Sequence, residues 1–223
     1  MKKILYLSML SIIALFSSCD DKGTDDISRI TYYPLLEMAG EEIVVLNVGD
    51  TFTDAGVTAL VGGEAAEVTV DGTVDASVAG IYAIHYSAYN EDGFSASVLR
   101  QVIVQDLASI AGTDLTGTYK RTFYGSPKNG GFSEWVATGV AGLYKVNDVG
   151  GVDSGSYEYD LDVYQVAADK IVMPVQANAK GGTIFASSTK SGSEPDVIAY
   201  SAGYIWSVKG AGYGTNPRTF EKQ

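Results

Sequence analysis

From Tyr82 to Tyr89 the chain alternates without a break. Tyr82, Ile84, Tyr86 and Ala88 fall on one face, and Ala83, His85, Ser87 and Tyr89 on the other. A period of two is the pattern of a strand with one buried face. The turn Asn90-Glu91-Asp92-Gly93 follows, then a further run from Ala96 to Val104. No stretch after residue 18 holds a 3.6-residue period for more than about two turns, so helices are not expected. Short runs of Val, Thr, Ser and Tyr with 26 Gly and only 5 Pro are the composition of an all-β chain.

The same punctuation divides the rest of residues 30–106. Glu42-Ile43-Val44-Val45-Leu46-Asn47-Val48 stops at Gly49-Asp50. Thr51 to Leu60, with Phe52 and Val57, turns at Gly62-Gly63, and Ala66 to Val70 closes at Asp71-Gly72. Strands spaced by 8–12 residues with turn signals between them predict a β-sandwich. Three stretches carry a resemblance: Val48-Gly49-Asp50-Thr51-Phe52-Thr53-Asp54-Ala55-Gly56-Val57, then Gly72-Thr73-Val74-Asp75, then Gly80-Ile81-Tyr82-Ala83-Ile84-His85-Tyr86. They resemble a bacterial Ig-like domain, with Ala55 where Pro is usual and Phe94 where Asn is usual. The resemblance implies an Ig-like sandwich acting as a spacer or adhesive module on an extracellular protein.

Asp106 to Asp114 reads as a short linker, and residues 115–223 as a second antiparallel β domain, a sandwich or barrel-like. Its strands are expected at Leu115–Thr122, after Gly142, from Tyr157 to Val166, at Ile171–Val175 and Thr183–Ser187, and at Val197–Tyr200 and Tyr204–Val208. The succession Leu115-Thr116-Gly117-Thr118-Tyr119-Lys120-Arg121-Thr122, Gly142-Leu143-Tyr144-Lys145-Val146-Asn147-Asp148-Val149-Gly150-Gly151 and Ile171-Val172-Met173-Pro174 resembles the C-terminal domain of small Bacteroidota outer-membrane lipoproteins. Several of these accompany polysaccharide-utilisation loci. The resemblance implies a role in surface glycan capture.

The N-terminus bears on location. Lys2 and Lys3 precede an apolar run from Ile4 to Phe16, then Ser17-Ser18-Cys19. This has the layout of a secretory signal, and thirteen apolar residues are too few for a membrane span, which needs about 20. Phe16-Ser17-Ser18-Cys19 resembles a lipobox, so residues 1–18 read as a lipoprotein signal peptide and Cys19 as the acylated residue. More than one acyl chain gives stable anchoring. Residues 19–29 read as an acidic tether, and Asp20, Asp21, Asp25 and Asp26 resemble the surface-export signal of Bacteroidota lipoproteins. The expected location is the outer membrane, lipid-anchored, facing the cell exterior.

Cys19 is the only cysteine, so no disulfide is expected and stability must come from packed cores. Without residues 1–18 the chain keeps 13 basic against 27 acidic residues, a charge of about −14. That argues against nucleic acid and polyanionic partners and leaves a neutral ligand as the easier fit.

Chemistry is sparse. His85 is the single histidine, on the polar face of its strand, so no His/Cys metal site is expected. Asp148, Asp153, Asp160 and Asp162 cluster in sequence without calcium-loop spacing. No nucleophile elbow or phosphate loop is present, and no motif singles out Glu134, Asp160 or Glu194 as a glycosidase pair. No enzyme activity, cofactor or metal is expected. Aromatic side chains remain, because sugar rings stack their C–H faces on Trp and Tyr. Trp135 follows the loop Pro127-Lys128-Asn129-Gly130-Gly131 and is expected to be exposed; Tyr213 lies in a Gly-rich loop. Trp206 and Tyr204 alternate along one strand, where core burial competes with a ligand role. These four are the candidate ligand-binding residues for a neutral oligosaccharide or polysaccharide. The alternative is a non-catalytic structural or adhesive lipoprotein contacting an outer-membrane transporter or another surface protein.

Overall fold

The alternating run is realised as strand β6 (Gly80–Tyr89), with Ile84, Tyr86 and Ala88 buried and Ala83, His85 and Tyr89 exposed. It forms a ten-residue antiparallel ladder with β7 (Ser95–Gln105), and the turn at Asn90 is held by the Asn90 side chain accepting from the Asp92 and Phe94 amides. This computed structural model describes residues 30–122, 130–152, 160–177, 183–187, 197–199, 203–210 and 218–223, and within 185–187, 197–199 and 204–210 the backbone alone. Among the described residues there are strands and turns and no helix, so the chain is all-β.

Around β6 and β7 the N-terminal half is a two-sheet sandwich. One sheet has the order β2-β7-β6-β5, with β2 (Ile43–Asn47) parallel to β7 and β5 (Thr69–Asp71) on the far edge. The other has the order β1-β3-β4, from β1 (Leu35–Met38), β3 (Val57–Val61) and β4 (Glu64–Ala66). Between them Ile84, Tyr86, Val102 and Val104 pack with Leu36, Met38, Val57 and Phe52. Two sequence expectations change. Ala66 to Val70 is not one strand; its two ends belong to different sheets, β4 and β5. Strand β3 begins at Val57, not Thr51, because Asp54 folds the preceding segment inward.

That inward fold answers Arg100, which lies on the core face of β7 and is 1% exposed. A lone guanidinium there would carry a heavy desolvation cost. Its Nη1 donates to Asp54 Oδ1, and its Nη2 to the carbonyls of Ala39 and Gly56. Tyr86 Oη donates to Asp54 Oδ2 at 2.6 Å, and the Arg100 guanidinium lies 5.8 Å from the Tyr86 ring centroid.

The C-terminal half runs up and down. Its strands are β8 (Gly117–Thr122), β9 (Phe132–Ala137), β10 (Leu143–Asn147), β11 (Leu161–Ala167), β12 (Lys170–Ala177), β13 (Thr183–Ser187), β14 (Val197–Ala199), β15 (Gly203–Gly210) and β16 (Arg218–Lys222). From β8 to β13 each strand pairs antiparallel with the next; β13 pairs with β15, β15 with β16, and β16 with β8. The pairings therefore close a barrel, and β14 pairs with β15 as an added strand. Closure leaves no free edge in the ring. Its interior holds Tyr119, Trp135, Val146, Val163, Met173, Ile184 and Phe220.

Sandwich and barrel share a third core. Ile103 of β7 packs with Tyr164, Val166 and Val172 of the barrel, flanked by Ile43, Ala79, Ile81 and Leu143. This explains why residues 100–105 of β7 are buried without alternation. The contact also satisfies two irregularities in the barrel. The β12–β13 register shifts between Met173 and Gln176, and there Gln101 accepts from Val175 N (2.7 Å) and donates to Val175 O (3.1 Å). The β11–β12 register shifts between Gln165 and Ala167, and there Asp106 N donates to Val166 O (2.7 Å). A bulge exposes backbone groups that must find partners elsewhere. Lys170 Nζ adds a bond to Ala79 O at 3.0 Å.

The expected linker at 106–114 is therefore a docked turn. Asp106 accepts from Ser109 N, Ser109 Oγ accepts from Ala168 N, and Thr113 Oγ1 donates to Ile110 O at 2.6 Å. Tyr33–Gln223 makes one compact unit.

Candidate functional site

The docked turn and the β9–β10 hairpin flank a cleft of about 550 Å³ at one end of the barrel. One wall is apolar, from Leu107, Ile110 and Val140. Thr113, Asp114, Thr116 and Gln165 supply polar groups, and Gly139, Ala141 and Gly142 bring peptide groups to the surface. Among the described lining residues none is Lys, Arg or His. The hairpin turns tightly because Gly142 adopts φ +71° beside Ile110, and its carbonyl accepts from Gln165 N at 2.7 Å.

Asp114 is the ionised group of the cleft. Its Oδ1 accepts from Thr116 N and its Oδ2 from Thr116 Oγ1, both at 2.8 Å. These bonds, with the nearby Lys222 charge, outweigh desolvation and hold the carboxyl below its ordinary range. Each oxygen keeps acceptor capacity for a ligand hydroxyl. The cleft floor is continuous with the barrel core through Tyr144, whose hydroxyl accepts from Leu115 N at 3.3 Å.

Below it lies Trp135, and here the sequence expectation is corrected. Trp135 is not an exposed loop residue; it is 2% exposed and points into the barrel from β9. Its ring sits between Tyr119 (centroids 5.8 Å apart) and Tyr144 (5.5 Å), both tilted by nearly 60°. Such tilted pairs add to area burial. Tyr119 Oη donates to Leu115 O at 2.7 Å, and burial, with the neighbouring Tyr144 and Asp114, raises the Tyr119 hydroxyl well above its ordinary value. A ring packed this way offers no face to a sugar.

The other candidates are less informative. Backbone register sets Tyr204 opposite Phe220 and Trp206 opposite Arg218, and their side chains lie outside the described residues. Tyr213, Cys19, Asp153 and Glu194 also lie outside them. Glu134 is exposed on the outer face of β9. Asp148 is a buried turn residue with φ +43°, and its carboxylate accepts from Val152 N at 2.9 and 3.1 Å. Asp162 pairs with Lys145 at 2.8 Å. Asp160 is exposed, and His85 is exposed opposite Asp71.

The sequence passes over the cleft because Asp114 falls in the expected linker and Val140 in the segment just before the strand expected after Gly142. Two local signals were there to find. Asp114-Leu115-Thr116 is an Asx-type turn sequence, and Gly139-Val140-Ala141-Gly142 keeps bulk away from the cleft.

Residues 36–104 match the family described as "Bacterial surface protein, Ig-like domain". No curated protein matches the chain. Among solved structures, the chain is similar to a crystallised lipoprotein of Bacteroides thetaiotaomicron, with 22% identity and a TM-score of 0.35 over 86% of this chain and 100% of that one.

Proposed function

We propose that this protein is a non-catalytic, lipid-anchored outer-membrane lipoprotein on the cell surface. Its barrel takes a neutral oligosaccharide or polysaccharide in the cleft between the docked turn and the β9–β10 hairpin, as an accessory to glycan uptake. The observation that carries the reading is the composition of that cleft: an ionised Asp114 and the hydroxyls of Thr113 and Thr116 face apolar Leu107 and Val140, with no described cation among its walls. Hydroxyl donors of a sugar pair with the carboxylate, and its C–H faces rest on the aliphatic wall. An anionic ligand would find no cation among the described walls, and Lys222 nearby already faces the Asp114 carboxylate. The surface location is supported by the surface-protein Ig-like match at 36–104 and by Cys19 in its lipobox-like setting. A single shallow cleft binds weakly, and a repeating polymer raises the apparent affinity through effective concentration.

The test is a panel of neutral and acidic polysaccharides run by affinity electrophoresis and calorimetry, with Val140→Asp and Asp114→Ala beside the parent. Val140 is 61% exposed, so a charge there alters the cleft wall without entering the core. At least one neutral glycan should bind, and Val140→Asp should weaken it about tenfold or more with an unchanged melting temperature, the loss expected when a sugar face meets a charge instead of a methyl. Binding to no glycan, or equal binding by both variants, overturns the reading. Trp135→Ala is a poor probe here, because emptying the barrel core would remove the fold along with any site.

The second reading, a structural or adhesive lipoprotein docked to a transporter or other surface protein, is favoured by the outer face of β9. Phe132 and Val136 are 50% and 54% exposed there, four residues apart on one face, and Lys120 Nζ lies 5.5 Å from the Phe132 ring centroid. Retention of an outer-membrane protein by the parent, lost in Phe132→Ser, would support it.

A further inference from the structure

We propose that the sandwich is a working part of the binding site and not only a spacer: Asn47 and Gln105, at neighbouring strand ends, hold the two flanks of the cleft at their spacing. The inference rests on the glycan reading of the cleft and adds two positioning residues to it. Neither residue lines the cleft. Asn47 ends β2 and Gln105 ends β7, and the two are partners in the parallel ladder. Their side chains leave the outer face of that sheet, because Val44, Leu46, Val102 and Val104 fill its inner face. From there they diverge. Asn47 Oδ1 accepts from Leu107 N at 3.2 Å, at the start of the docked turn. Gln105 Nε2 donates to Gln165 O at 3.0 Å and to Ala141 O at 3.5 Å, the second in the β9–β10 hairpin. Gln165 bridges the flanks in turn. Its N donates to Gly142 O at 2.7 Å, and its Oε1 lies 3.1 Å from Thr113 Oγ1.

The chemistry of Gln105 fits the task. It is 3% exposed, and both of its partners are carbonyls. A primary amide offers two hydrogens, one for each, and carries no charge to desolvate. Gln165 O sits where the β11–β12 register shifts, so it needs a donor from outside the ladder. Gly142 leaves room for the amide, since an added Cβ there would strike Gln105 Nε2. Without that amide both carbonyls must turn to water, at more cost than the bonds alone are worth. The hairpin is the flank with room to do so, because residues 136–141 are exposed.

The pair is itself fixed by backbone. Gln105 O accepts from Val48 N, and Asn47 N donates to Asp50 Oδ2, both at 2.8 Å. Asn47 is exposed and supplies one bond, so its share is the smaller. Gln101 provides the internal comparison. It leaves the same face of β7 four residues earlier and also makes two bonds to the barrel. Both go to Val175, which does not line the cleft. Junction strength and cleft geometry are thus carried by different glutamines.

The flanks are spin-labelled as Leu107→Cys/Val140→Cys in the Cys19→Ser protein, and the distance distribution between the labels is measured with and without Gln105→Ala, Asn47→Ala or Gln101→Ala. Affinity for the neutral polysaccharides of the panel and melting temperature are read on the same substitutions without labels. Gln105→Ala should lengthen or broaden the distance and weaken glycan binding about tenfold, and Asn47→Ala about threefold. Gln101→Ala should lower the melting temperature yet leave distance and affinity as in the parent. An unchanged distance in Gln105→Ala, or equal losses of affinity in Gln105→Ala and Gln101→Ala, overturns the positioning and leaves the glycan reading intact. A distance that widens in Gln105→Ala while the parent binds no glycan overturns the glycan reading and leaves the positioning standing. If Gln105→Ala does not fold, the exposed Asn47→Ala decides, and distance and affinity both unchanged there overturn the inference.

Discussion

Arg100 is tolerated in an apolar sandwich because its charge is matched where it lies. Desolvation works against the ionised Asp54, but bonds from Tyr86, the Gly56 amide and Arg100 outweigh it and hold the carboxyl below its ordinary value. A depressed carboxyl contributes stability that is present above its unfolded value, about 3.9, and lost as pH falls through the folded one. Asp54→Asn should therefore be less stable than the parent at pH 7, with a gap that narrows as pH falls below about 4, read from urea midpoints at each pH. Burial and the Asp54 bond push the Tyr86 hydroxyl up to about 12. That contribution is complete below the unfolded value of about 10 and lost as pH rises toward the folded one. The network thus weakens at both extremes, and Tyr86→Phe removes the alkaline limb. Asp54 was visible in the sequence only as part of a family-like string; its partner lies 46 residues away, a distance no local pattern spans. Trp135 failed differently. Phe132 to Ala137 is itself an alternating run with Ser133 and Trp135 inward, but the preceding Pro and Gly residues drew the reading toward a loop.

Most strands were legible because period two and Gly/Asp turns are local properties. Where the reading erred, a distant element decided the local structure. Strand β9 takes its place from pairing on both sides, with β8 and β10, and a six-residue run after a glycine-rich loop gave little hint of it. The β9–β10 hairpin carries the most exacting local demand. An added Cβ at Gly142 would stand 2.7 Å from Ile110 Cδ1 and 2.8 Å from Gln165 O, at a φ that L residues avoid. Gly142→Ala must therefore either displace the docked turn or distort the hairpin. A loss of about 1–3 kcal/mol is expected from the strain and overpacking combined, measured by chemical unfolding. Because the same glycine lines the cleft, glycan affinity should fall with it, whereas Gly139→Ala, which meets no neighbouring atom, carries only the backbone part of the cost.

For the whole molecule, a sandwich followed by a second β domain, sandwich or barrel-like, could be read from the sequence; the closure of the barrel and its fusion to the sandwich could not. Gln101 and Asp106 look like an ordinary strand residue and a linker start until two bulges in the barrel present them with unpaired backbone groups. The shared core has a consequence for unfolding. Ile103, Tyr164, Val166 and Val172 are all at most 7% exposed, and exposing a side chain of this size costs about 1.5–3 kcal/mol. Four of them amount to a gross loss on the order of 6–12 kcal/mol, similar to the entire stability of a typical domain at about 5–15 kcal/mol. If the barrel unfolded alone, the outer face of β7 would be stripped, and the sandwich would lose the share carried by Ile103 and the flanking Ile43, Ala79 and Ile81. Sandwich and barrel should therefore melt together, giving one calorimetric transition whose calorimetric and van't Hoff enthalpies agree. Ile103→Ser with Gln101→Ala removes the central apolar contact and both bonds to Val175, while the inward face of β7 keeps Arg100, Val102 and Val104. The double variant should split the transition in two, and proteolysis should then cut within 106–114, where the parent is protected. A parent that already melts in two steps would show that the contact is too weak to couple the halves. The barrel would then be free to swing on the sandwich instead of being held against β7.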